Sequence, residues 1–151
     1  RILLPRTKQL GPMEFLQRGY KNEVFEDAVR RLKEKGIEVV VHLIVGLPGE
    51  TKENCLDTAR YLSGLPVDGV KFQVLQVLSG TKLAELTKGD PSPVPRISLE
   101  EYTDIVKQML EVLPETVTIH RLTGDPPKKL LISPLWTADK KKVLNYMKKE
   151  L

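Results

Sequence analysis

The residues Val39-Val40-Val41-His42-Leu43-Ile44-Val45-Gly46-Leu47-Pro48-Gly49-Glu50-Thr51 constrain the fold more than any other stretch. Seven of the eight residues from Val39 to Gly46 are apolar or glycine, and the run stops at Gly-Leu-Pro-Gly. A short β-branched run closed by glycine and proline reads as a buried parallel strand rather than an amphipathic helix. The pattern from Lys52 to Leu62 then reads as a helix, with Thr51 as its N-cap and Cys55, Leu56, Ala59 and Leu62 facing inward. Strand, tight loop and helix in that order place functional groups at the carboxyl edge of a parallel sheet. A ligand site is expected there.

The remaining chain repeats this alternation. Val24, Phe25, Ala28, Val29 and Leu32 form a helical stripe over Glu23 to Lys35, with Asn22 as N-cap and Gly36 as stop. Val67 to Val77 contains a second strand, Thr81 to Lys88 a short helix, and Gly89 to Pro95 a proline-rich loop. Ser98-Leu99-Glu100-Glu101 is a capping box opening a strong amphipathic helix through Leu113. Thr116 to Arg121 alternates like a third strand. Leu122 to Pro134 reads as a loop carrying the apolar patch Leu130-Leu131-Ile132, and Asp139 to Leu151 as a closing helix that buries Val143, Leu144 and Met147. Residues 1–12 are irregular, with Ile2 to Leu4 as a candidate strand end, and Met13 to Leu16 form a short apolar turn. Alternating strands and helices imply right-handed parallel crossovers. One α/β domain over 1–151 is expected. A closed eight-fold barrel takes about 250 residues, so the sheet must be open or incomplete.

Composition narrows the chemistry. Net charge is +4, with Lys128, Lys129, Lys140, Lys141, Lys142, Lys148 and Lys149 crowded near the end. They suit an anionic partner such as RNA, or simply a solvated helix face. No apolar run approaches the roughly 20 residues that cross a bilayer, so no membrane partner is expected. The single cysteine, Cys55, excludes a disulfide framework and any metal site built from several cysteines within these residues. It suits a reducing, cytoplasmic location. The loop Gly46 to Thr51 is neither a Walker loop nor a GxGxxG fingerprint, and an ordinary tight βα turn remains its alternative reading.

The string Gly36-Ile37 through His42-Leu43-Ile44-Val45-Gly46-Leu47-Pro48-Gly49-Glu50-Thr51 resembles the fifth-strand region of radical S-adenosylmethionine (SAM) enzymes. It is closest to the branch of oxygen-independent coproporphyrinogen oxidase and the Elongator catalytic subunit. Gln17-Arg18-Gly19-Tyr20 is similar to the turn that precedes the helix there. Asp68-Gly69-Val70-Lys71, His120-Arg121-Leu122-Thr123-Gly124-Asp125 and Leu131-Ile132-Ser133-Pro134-Leu135-Trp136 resemble the C-terminal half of the YhcC-like radical SAM proteins, and the likeness covers 13–151. It implies a partial parallel (β/α) barrel, the C-terminal half of a (β/α)6-type barrel. It also implies a [4Fe–4S] cluster held by a CxxxCxxC loop, and S-adenosylmethionine cleaved to a 5′-deoxyadenosyl radical.

On that resemblance, Ile44, Val45 and Gly46 border the adenine, with Glu50 in the same loop. Lys71 and Gln73 contact cofactor or substrate, and His120 and Arg121 are substrate-side candidates. No catalytic residue and no metal ligand is assigned. Each residue also has a plainer reading. His42 fits a core histidine, Lys71 and Gln73 a solvent-facing edge, Glu50 a helix-start carboxylate, Trp136 a packing anchor and Cys55 an inert thiol. The cluster loop is absent, and His42 stands where the family often has glycine. The chain is therefore expected to be part of a longer enzyme, holding no cofactor and inactive alone. Its expected partners are the missing N-terminal half of the barrel, a second copy through an exposed sheet edge, and RNA. A cluster-free α/β module that binds RNA or protein through the basic C-terminal surface is the alternative.

Overall fold

Gly36 ends the first helix and sets where the central strand begins. A computed structural model describes residues 2–3, 22–89 and 97–151. Helix α1 (Asn22–Glu34) closes with Gly36 at φ 69°, Ile37 N–H donating to Leu32 O and Gly36 N–H to Lys33 O. This is a Schellman motif, which favours glycine at its left-handed position. Strand β2 runs over Val40–Val45, one residue later than the start of its apolar run at Val39.

Asp68 fastens this junction. Its carboxylate accepts from Lys33 Nζ at 2.6 Å and from Val39 N–H at 2.7 Å, joining α1 and β2 to the chain just before Gly69. The lysine hydrogen bond, followed by the backbone one, holds the Asp68 carboxyl below its ordinary pKa.

Past β2, helix α2 (Lys52–Ser63) starts at a capping box between Thr51 and Asn54 and stops at Gly64. Strand β3 (Gly69–Val74) follows, then the short β4 (Val77–Leu78) and α3 (Lys82–Gly89). Helix α4 (Leu99–Val112) begins at the expected capping box of Ser98 and Glu101. Strand β5 (Thr118–Arg121), β6 (Leu131–Ser133), a 3-10 turn (Leu135–Ala138) and α5 (Lys140–Glu150), N-capped by Asp139, complete the chain.

With β1 (Ile2–Leu3), the main sheet is parallel in the order β1-β2-β3-β5. The apolar patch read as loop is corrected here. Leu131 and Ser133 pair antiparallel with Leu78 and Val77 in a second, two-stranded sheet. The Met13 to Tyr20 segment and the proline-rich stretch 90–96 lie outside the described residues.

Register decides the two faces of the main sheet. Val41 pairs with Val70, Leu43 with Phe72 and Val45 with Val74, and all six side chains are buried. They share one core with Phe25 and Val29 of α1, Ala59 and Leu62 of α2, Tyr102 and Met109 of α4, and Val143 and Met147 of α5. Leu144, expected inside, is only half-buried. Four of the described helices thus cover one face. Such an arrangement matches one wall of a (β/α) barrel, with the other face turned toward the barrel interior.

Candidate functional site

The carboxyl end of β2 is built by one carboxylate. Glu50 Oε2 accepts from Gly46 N–H at 2.8 Å and Leu47 N–H at 3.0 Å, while Glu50 N–H donates to Leu47 O at 2.9 Å. Gly46 (φ 84°) and Gly49 (φ 70°) occupy the left-handed region that lets the chain double back over so few residues. A Cβ on Gly46 would point to the core side, 3.5 Å from Ile97 Cγ2 and 3.7 Å from Val74 Cγ2. The residue therefore shows bare backbone to the opposite face, which none of the described helices covers. A cavity of about 340 Å³ adjoins the loop, lined by Gly46, Glu50, Cys55, Ile97, Glu101 and Ile105 among others.

Across that face the cross-strand partners form rows. Nearest the loop, Ile44 lies beside Gln73. One row deeper, about 6.6 Å at two residues of strand rise, come His42, Lys71 and Arg121. His42 is buried, Lys71 half-buried and Arg121 exposed. At the amino end, Val40, Gly69 and Thr118 align.

The register of β5 shifts between Val70 and Lys71, and His120 is the extra residue. Its ring lies over Gly69, where a Cβ would stand 2.6 Å from His120 Cδ2, and Nε2 is 3.8 Å from Glu38 Oε1.

The structure therefore brings Ile44, Val45, Gly46, Glu50 and Gln73 to one edge, with Lys71 and Arg121 just below. Val45 is fully buried on the helix side, so only its backbone reaches this edge. His120 sits apart, at the amino end of the strands. Trp136 is a packing residue here, its ring centroid 5.5 Å from that of Tyr102 and its indole N–H donating to Ile97 O at 2.9 Å. Cys55 is buried on the inner side of α2.

Two neighbours of the edge escaped the sequence reading. Ile97 precedes its helix, where no periodicity marks it. Gln76, just past β3, places a buried amide nitrogen against Gly124 that has no hydrogen-bond partner among the described residues. The string Leu122-Thr123-Gly124-Asp125 was the available signal for that contact.

Comparison with known proteins agrees with this geometry. Residues 67–151 match the radical SAM C-terminal domain family, and residues 13–62 match the radical SAM superfamily. Uncharacterized protein YtqA of Bacillus subtilis is 32% identical over 136 residues, 90% of this chain and 42% of that protein. Protein YhcC of Escherichia coli is 31% identical over 121 residues, 80% of this chain and 38% of that protein. A tRNA uridine(34) acetyltransferase of Methanocaldococcus jannaschii is 29% identical over 124 residues, 80% of this chain and 22% of that protein. The chain thus spans about two fifths or less of these relatives.

Among solved structures, the Methanocaldococcus infernus Elp3 with an N-terminal deletion superposes with a TM-score of 0.73 at 24% identity, over 91% of this chain and 33% of that one. That likeness establishes the shared fold. With more than half its length in the C-terminal domain family and the carboxyl-edge loop in place, the chain belongs to the radical SAM superfamily, as a YhcC-like member.

Proposed function

We propose that this chain forms the C-terminal wall of a radical SAM enzyme that modifies tRNA. The observation that carries the reading is the Gly46–Glu50 loop, which turns bare backbone toward the face opposite the described helices at the carboxyl edge of the sheet. A flat adenine fits against a residue without a side chain. Glu50 holds that backbone in place, and Ile44 and Gln73 supply the adjoining surface. Lys71 and Arg121 add positive charge one row deeper, suited to a carboxylate or phosphate.

These residues do not fit an iron–sulfur cluster, since the one cysteine is buried on the inner side of α2. The cluster ligands would come from the remaining half of the barrel, across from the face opposite the described helices. When bound in the complete enzyme, cluster and S-adenosylmethionine supply a hydrogen-abstracting radical; this chain's part is to seat the cofactor and shield it from water. Relatives named for tRNA uridine(34) and tRNA adenosine modification support tRNA as substrate. The reading places the protein in the cytoplasm, where tRNA resides, and no described helix is long and apolar enough to cross a membrane.

The test is anaerobic reconstitution of the longer protein encoded around this chain. S-adenosylmethionine cleavage is expected, and Gly46→Val, which forces a β-branched residue to φ 84°, should weaken cofactor binding at least tenfold with iron content unchanged. A longer protein without a CxxxCxxC loop would overturn the reading.

A further inference from the structure

A groove of about 1210 Å³ runs between the start of α4 and the face of α5, outside the barrel-edge site. Its wall includes Lys128, Leu135, Trp136, Lys141, Lys142 and Tyr146. The three lysines are exposed, and among the described residues none has an ion-pair partner; on the same flank only Lys140 does, with Asp125 at 3.0 Å. Lys141 and Lys142 also lie in the first turn of α5, where the helix dipole disfavours cations. Leu135 lines the same groove and is 71% exposed, which leaves its apolar side chain open to a ligand.

Two carboxylates line the groove as well. Asp139 is occupied in capping Lys142 N–H, and Glu100 lies close enough to Tyr146 to help raise its phenol pKa, after burial and Glu150. The balance is cationic and apolar together.

We infer that this groove holds single-stranded RNA, its lysines meeting phosphates while bases rest on Leu135 and Tyr146. Charge complementarity selects a polyanion, and the exposed Leu135 in the same groove as the aromatic ring selects one with flat faces to stack. Position gives the groove a role in the same enzyme. Trp136 in its wall donates to Ile97 O, and Ile97 in turn packs behind Gly46. One residue separates the groove from the back of the carboxyl-edge loop, on the helix side of the sheet and away from the face given to the cofactor. The groove thus binds nucleotides outside the modified one, along the outer side of the same wall. This rests on the tRNA reading above.

The test uses the 151-residue chain and a labelled oligoribonucleotide of about 12 nucleotides, titrated by fluorescence anisotropy at several salt concentrations. Lys141→Glu/Lys142→Glu should bind at least tenfold more weakly, with a salt slope shallower by about 1.4, the loss of two phosphate contacts on a single strand. Lys148→Glu/Lys149→Glu makes the same charge change at the far end of α5 and should bind within about twofold of the parent chain, since only local phosphate contacts are lost in the other variant. Leu135→Ser should weaken binding severalfold and leave the salt slope unchanged. Circular dichroism melts of each variant show whether folding is intact.

Equal losses in the two double variants, no RNA binding by the parent chain, or equally strong competition by poly-glutamate would each overturn the inference. The groove and the enzyme reading fail separately. Cofactor cleavage by the longer protein with RNA binding indifferent to Lys141 and Lys142 removes only the groove. Groove-dependent binding in a protein that cannot cleave S-adenosylmethionine removes only the chemistry.

Discussion

At the scale of single residues, Glu50 carries the carboxyl-edge loop. Truncation in Glu50→Ala strands two backbone donors, Gly46 N–H and Leu47 N–H. It should cost about 1–3 kcal/mol in urea denaturation, whereas Glu50→Gln, which keeps one acceptor, should lose less. Gly69 carries a different constraint. A methyl there meets the His120 ring at 2.6 Å and Thr118 O at 2.9 Å, so Gly69→Ala should destabilise by about 1–3 kcal/mol. His120→Ala in the same chain should recover part of that loss and no more, because the backbone clash persists. A double-mutant cycle with zero coupling would disprove the packing of His120 over Gly69.

Asp68 makes a pH prediction. Its folded pKa is lowered by Lys33 and Val39 N–H, so its stabilising contribution is complete above the unfolded value near about 4 and is lost as pH falls through the folded value. Asp68→Asn should therefore be less stable than the parent at pH 7, with the gap narrowing in acid melts below about pH 4.

At the scale of elements, helix starts were the most legible features. Ser98 and Glu101 announce α4, and Ser98→Ala should cost about 1 kcal/mol through loss of the acceptor for Glu101 N–H. Strands β2 and β3 were legible because their burial demands apolar residues at every second position at least. Strand β6 was not, since Leu131–Ser133 is three residues long and owes its conformation to Val77 and Leu78, more than fifty positions away. The bulge that sends His120 to the amino end of the sheet was equally hidden. Nothing in Thr118-Ile119-His120-Arg121 distinguishes the extra residue from a regular one. The loop at Gly46 was readable from its glycines, but its fastening by Glu50 and its backing by Ile97 depend on three-dimensional proximity.

Among the described strands β5 ends the sheet, all four of its residues are exposed, and Ile119 is 44% exposed. Such an edge templates pairing with another strand. The chain should self-associate with rising concentration in sedimentation velocity, and Ile119→Lys should reduce that association without lowering the melting temperature. A parent chain that stays monomeric at high concentration would refute the edge as a contact.

At the scale of the molecule, one wall of a barrel stands with its helices attached and its interior face bearing Lys71 and Arg121 side by side. A packed barrel interior needs counter-charges for such a row. The opposing half of the barrel is therefore expected to bring carboxylates, and supplying it in trans should raise the melting temperature of this chain in a concentration-dependent way.

The seating of Trp136 has an optical consequence. It is the only tryptophan in the sequence, its ring rests against Tyr102, and its indole N–H is held by Ile97 O. The protein's ultraviolet emission thus originates in the groove wall itself. A nucleobase arriving on that wall will quench it, and a displacement of Ile97 at the back of the loop will shift its wavelength. One spectrum, without any attached dye, distinguishes occupation of the groove from movement at the carboxyl edge.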